Sequence, residues 1–172
     1  MPQSSDFSLQ ALYAALDVQR QTRGLTWPQV MSEMRRASKR LSNHRLSQST
    51  VTGTRIRGAA EGDGVLAMLR WLNRTPESFV RGHQLSEEIS ARLPDIPPGK
   101  ILRFDTRKLY AALDARRVEK NLTWAQVAKE LGLGASGLKY LSKGKRVAFP
   151  GVMRIFRWLD RPAADFTRVS DS

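Results

Sequence analysis

Between Ala135 and Arg146 the sequence reads ASGLKYLSKGKR, and its side chains divide into two chemical sets. Leu138 and Leu141, three apart, belong on the inner face of a short helix over 135–142. Ala135, Ser136, Lys139 and Tyr140 then lie on its outer face. A lysine can donate to guanine O6 and N7, and a tyrosine can donate a hydrogen bond or pack on a thymine methyl. Beyond the helix, Lys143, Lys145 and Arg146 gather around Gly144 with no acid among them. Such a run suits phosphate oxygens, and a solvated loop is the plainer alternative.

The elements that must position these groups precede them. Thr123 is a good N-cap, and Gln126 three residues on completes a capping box. Leu122 and Val127 can staple the entry, and Val127 and Leu131 share one face at i, i+4. Gly132 ends that helix, since glycine accepts the left-handed conformation of a helix end. Two short helices, a tight turn and a basic loop follow in order over 122–146.

The residues LTWAQVAKELG, the Leu133/Leu138/Leu141 spacing and the GKR that follows resemble the Cro/repressor-like helix-turn-helix family of phage and bacterial regulators. The resemblance implies that the second helix enters the DNA major groove. Base contact would then fall on Ala135, Ser136, Lys139 and Tyr140. The start of the first helix, Thr123 and Trp124, would approach the phosphate backbone, with Lys143, Lys145 and Arg146 beside it.

The chain also repeats itself. FSLQALYAALDVQRQTRGLTWPQV from Phe7 matches FDTRKLYAALDARRVEKNLTWAQV from Phe104, an offset of 97. Arg70, Trp71, Leu72 and Phe79 match Arg157, Trp158, Leu159 and Phe166, an offset of 87. The first copy therefore holds ten extra residues, between its second and third helices. The expected layout is a first domain over 1–81, a Pro-containing linker over 82–103 and a second domain over 104–172. With the resemblance, it implies an all-α fold: two tandem lambda-repressor-like helix-turn-helix bundles of about five helices each.

In the first copy, Ser8 caps a helix whose Leu9, Leu12, Tyr13 and Leu16 form one apolar stripe. Thr26 and Gln29 repeat the capping box, and Pro28 sits in the first turn of the second helix. The extra residues lie within Arg35 to Arg45 and bring Arg35, Arg36, Lys39 and Arg40. They read either as a solvated face or as an arm that tracks phosphates. The third helix, near 47–56, is rich in threonine and holds Gly53, so its local propensity is poor. By repeat alignment its outward Gln48, Ser49 and Thr52, with Arg55 nearby, take the base-reading places, and Arg57 the phosphate one. Trp27 and Trp124 each follow a capping threonine. Their indoles either pack on the first helix or donate N–H to a phosphate. Trp71 and Trp158 adjoin core positions and read as packing residues. The last residues, TRVSDS, read as a polar, frayed tail.

Composition narrows the classes. The chain has 172 residues, 29 Lys plus Arg against 16 Asp plus Glu, a net charge of +13 and a pI near 11.0. A polyanionic partner follows, nucleic acid before membrane surface. No apolar run is long enough for a spanning helix, and the first residues do not read as a secretory leader. No cysteine supplies a disulfide or a zinc ligand. His44 and His83 are lone. The acid pairs Glu61/Asp63 and Glu87/Glu88 have no companion nucleophile or base. The expectation is a cytoplasmic, nucleoid-associated regulator that is not an enzyme and uses no cofactor or metal. It would bind double-stranded DNA through two non-identical recognition helices, as repressor or activator, and act as a monomeric pseudo-dimer or a homodimer. RNA polymerase or another regulator is the natural second partner. The alternative is a protein-binding regulator of antiactivator or antitoxin type.

Overall fold

The computed structural model describes residues 7–36, 60–80, 92–97, 99–144 and 148–171. In the first copy, α1 (Leu9–Thr22) starts where Ser8 Oγ accepts the Ala11 N–H at 3.1 Å, and it buries Leu9, Leu12 and Leu16. α2 (Trp27–Arg36) buries Val30, Met31 and Met34. A two-residue strand β1 (Ala60–Glu61) leads into α3 (Gly62–Leu72), and a 3-10 turn follows at Pro76–Phe79.

The second copy opens on β2 (Lys100–Phe104) and α4 (Thr106–Glu119), whose cap Asp105 accepts the Lys108 N–H at 3.0 Å. Then come α5 (Trp124–Leu131), α6 (Ala135–Ser142), β3 (Ala148–Phe149) and α7 (Gly151–Leu159). A 3-10 turn at Ala163–Phe166 and β4 (Thr167–Asp171) complete it.

The repeat seen in the sequence is a repeat of contacts. Arg20 bonds Asp17 and the Leu25 carbonyl, and Arg117 bonds Asp114 and the Leu122 carbonyl. Trp71 Nε1 donates to Glu33 at 2.8 Å, and Trp158 Nε1 donates to Glu130 at 2.7 Å. Arg23 and Trp71 together hold the Glu33 carboxyl below its usual range. Ser8 N–H bonds Phe79 O at 2.8 Å, and Asp105 N–H bonds Phe166 O at 2.6 Å. The tryptophans of α3 and α7 thus tie those helices to α2 and α5 through a ring N–H, while their rings pack on the core.

The expected all-α pair of five-helix bundles is overturned. The described residues hold seven α-helices and four strands, paired as two two-stranded antiparallel sheets. β2 pairs with β4 from Lys100 opposite Asp171 to Phe104 opposite Thr167. The frayed tail is therefore a strand, and residues assigned to the linker are its partner. Ile101, Leu102 and Phe104 are buried, so the ladder closes over apolar side chains. In the first copy the same place is marked by a single bridge, Phe7 to Val80. A short fifth helix is expected to end near Phe79 and is a 3-10 turn, and the short turn expected at Pro162–Phe166 is a 3-10 turn as well. Of the extra basic residues, Arg35 and Arg36 close α2, while Lys39, Arg40 and the expected third helix of the first copy lie outside the described residues.

The other sheet joins the copies. β1 pairs with β3, Ala60 opposite Phe149 and Glu61 opposite Ala148. Phe149 is fully buried, with its ring 4.7 Å from that of Phe7 and 5.7 Å from that of Phe104. α3 of the first copy also packs on β2 of the second. The buried apolar side chains form one continuous cluster across both copies.

Glu77 lies at this junction. It is 5% exposed, its Oε1 accepts the Ala163 N–H at 2.7 Å, and its Oε2 is buried with no partner among the described residues. Burial pushes its carboxyl above the ordinary range, against the pull of the Ala163 N–H. A carboxyl that binds its proton more tightly folded than unfolded favours the folded state at low pH. That contribution is full below the unfolded pKa and is lost as pH rises through the folded one. Glu77→Gln keeps an acceptor for Ala163 and removes the charge. It should leave stability at pH 4 nearly unchanged and raise it by about 1 kcal/mol at pH 7.5, on the scale of one buried unsatisfied group. Urea unfolding at the two pH values checks this, and an equal shift at both would refute the charge-based account.

Candidate nucleic-acid interface

α5 and α6 form a compact helix-turn-helix, and each part of it has a local cause. The capping box is complete: Gln126 N–H donates to Thr123 Oγ1 at 3.2 Å, and Thr123 N–H donates to Gln126 Oε1 at 2.8 Å. Val127, Ala128 and Leu131 turn inward. Gly132 has φ +64°, and two bonds close the end: Gly132 N–H to Lys129 O at 3.2 Å and Leu133 N–H to Ala128 O at 3.0 Å. This is the Schellman arrangement, and a left-handed residue at this place favours glycine.

The turn is then clamped from below by α7. Arg154 NH1 donates to the Gly132 carbonyl at 3.1 Å. A Cβ on Gly151 would lie 3.2 Å from Leu133 Cδ2, so the start of α7 sits tightly against the turn. The equivalent of Arg154 in the first copy is Ala67, so that copy has no arginine at this place.

α6 buries Leu138 and Leu141 at 2% and 3% exposure. Ser136, Lys139 and Tyr140 face outward, with Tyr140 at 47% exposure. Lys143, at the end of α6, is exposed as well. Among the described residues, neither Lys139 nor Lys143 has a carboxylate partner. The backbone of Ala135 opens α6, as expected.

One cation was missed by sequence reasoning. A Cβ on Gly144 would stand 3.6 Å from Arg107 Nε and 4.0 Å from Thr106 Oγ1, so the end of α6 rests on the first turn of α4. Arg107 is exposed there, close to Lys143, and has no carboxylate partner among the described residues. It is 36 residues upstream of Lys143, and only the packing of α6 on α4 brings the two together.

Trp124 stacks on Tyr110, centroids 5.0 Å apart and 14° between planes, with the Arg117 guanidinium 4.9 Å from its centroid. Trp27 stacks likewise on Tyr13 at 5.4 Å, with Arg20 at 5.2 Å. Packing on the first helix is therefore real for both. Their indole N–H groups differ from those of Trp71 and Trp158: among the described residues neither has an acceptor. Each lies at the start of a helix, where backbone N–H groups also point outward. The Thr123 hydroxyl is engaged as a cap.

Of the other expected contacts, Arg36 ends α2 and is exposed, and Arg35 precedes it in the same helix. Lys39, Arg40, Gln48, Ser49, Thr52, Arg55, Arg57, Lys145 and Arg146 lie outside the described residues.

No helix among the described residues is long and apolar enough to cross a membrane. Comparison with protein-family models, curated proteins and solved structures finds no match for this chain.

Proposed function

We propose that this chain is a sequence-reading double-stranded DNA-binding protein, a transcriptional regulator in which α6 lies in the major groove. One observation carries the reading. α6 buries Leu138 and Leu141 beneath it and presents Ser136, Lys139 and Tyr140 outward, beside Lys143 and Arg107, which have no carboxylate partner among the described residues. A short helix held at its inner face, with polar and cationic groups on its outer face, has the shape and chemistry that a major groove accepts. The net charge of +13 supports a polyanion as partner.

In this arrangement Lys139 reads a base edge. Lys143, Arg107 and the free N–H of Trp124 hold phosphates and fix the register. The two tasks separate by mutation. Lys139→Ala should cost about 1–3 kcal/mol on the preferred site and relax preference at one base position. Lys143→Ala should weaken every duplex alike and flatten the salt slope by about one unit. Binding titrations on a duplex selected from a random pool, and on its single-base variants, check both. Identical profiles for the two variants would reject this division of labour. Absence of any duplex preference in the parent chain would reject sequence reading.

A further inference from the structure

From the register of the strand pair that joins the copies we infer that the chain grips DNA with inverted polarity. The two halves of one molecule contact opposite strands about a local two-fold axis, rather than following one strand as a direct repeat. This rests on the DNA-binding reading above.

The argument is one of symmetry. Beyond the extra basic residues, the two copies correspond at an offset of 87, so Glu61 of β1 is the counterpart of Ala148 of β3. These two are the residues paired opposite each other. In an antiparallel pair, a position facing its own counterpart is what a two-fold axis passing between the strands produces. Equivalent surfaces then meet, which is the isologous contact of a symmetric dimer. A head-to-tail repeat would instead set unlike surfaces against each other.

Two other contacts agree. Phe7 and Phe104 are counterparts at an offset of 97, and both rings lie against that of Phe149, at 4.7 and 5.7 Å. The two 3-10 turns, Pro76–Phe79 and Ala163–Phe166, are also counterparts. They meet through the bond from Ala163 N–H to Glu77 Oε1. Three pairs of equivalent elements therefore adjoin at one junction.

Trp27 and Trp124 are counterparts in the same scheme, each stacked on its tyrosine with a free N–H. They serve as markers for the two halves. When a two-fold axis of a protein lies on the dyad of a duplex, equivalent groups touch equivalent phosphates on opposite strands. Base reading need not be symmetric, since the side chains of the halves differ. The backbone footprint would be.

The test is ethylation interference with the full chain on a duplex selected by it, with stoichiometry measured in the same complex. The expected result is one chain per duplex and two groups of essential phosphates, on opposite strands and related by a dyad. Trp27→Phe and Trp124→Phe keep the ring stack and remove the N–H. Each should weaken binding about threefold to tenfold, the scale of one hydrogen bond, and each should relieve interference in a different one of the two groups. Both groups on one strand, or two chains per duplex, would overturn the inverted arrangement and leave sequence reading intact. No defined footprint on any duplex would sink both. The parent footprint decides the arrangement even if a tryptophan variant folds poorly.

Discussion

Replacing Phe149 with alanine is expected to lower the stability of both copies together, by about 3–5 kcal/mol, the usual cost of truncating a buried phenylalanine. The side chain is fully buried and its ring lies between those of Phe7 and Phe104, one from the start of each copy. A void there removes packing partners from both. A domain of this size is typically stable by only about 5–15 kcal/mol, so the loss takes a large share of the total. Amide exchange distinguishes a shared core from two separate ones. Leu12 and Leu16 in α1, and Leu109 and Leu113 in α4, are buried deep in the two copies. All four amides should exchange roughly 10² to several times 10³ faster in the variant, since about 1.4 kcal/mol corresponds to a factor of ten. Truncating exposed Val18 should change them little. If protection in α1 survives while that in α4 falls, the copies unfold separately and the single core is refuted.

The same junction shows where sequence reading stops. Local chemistry was legible wherever a few neighbouring residues decide the outcome. The Thr123/Gln126 box, the left-handed Gly132 and the inner Leu138 and Leu141 are all of that kind. The duplication was legible too, because LYAALD and LTW recur in order, and it anticipates the matched Arg20/Arg117 and Trp71/Trp158 contacts. Strand pairing was not legible. Thr167–Asp171 has no run of apolar side chains, and its strand form depends on hydrogen bonds to a partner some 67 residues away, Lys100 to Asp171 being one end. Lys100–Phe104 follows Pro97, Pro98 and Gly99, which read as punctuation rather than as the start of an element. β1 and β3 are two residues each, too short for any period, and they exist because the copies meet. Context of this kind outweighs intrinsic strand preference. Arg107 was invisible as a site residue for the same reason: a fold contact places it, and no spacing announces it.

Raising salt from 50 to 200 mM is expected to weaken DNA binding by about 10³ to 10⁵, the range for six to ten phosphate contacts. The prediction follows from which groups are cationic and free. Lys143 and Arg107 are exposed and have no carboxylate partner among the described residues, and Arg36 is exposed with the Glu33 carboxylate one turn before it. Lys39, Arg40, Arg57, Lys145 and Arg146 add five cations from parts of the chain beyond the described residues. Other cations are already engaged: Arg20 with Asp17, Arg23 with Glu33, Arg117 with Asp114 and Arg161 with Asp165. These should contribute little to the slope, because they hold carboxylates rather than diffuse counterions in the free protein. Neutral donors such as the Trp124 indole add affinity without adding slope. A plot of log affinity against log salt should therefore be steep for the parent chain and shallower by about one unit for Arg107→Ala, while Arg117→Ala should leave the slope unchanged. A flat plot would instead indicate an apolar interface and favour a protein partner over DNA. Equal slope losses for Arg107 and Arg117 would mean that pairing within the fold does not decide which cations meet phosphate.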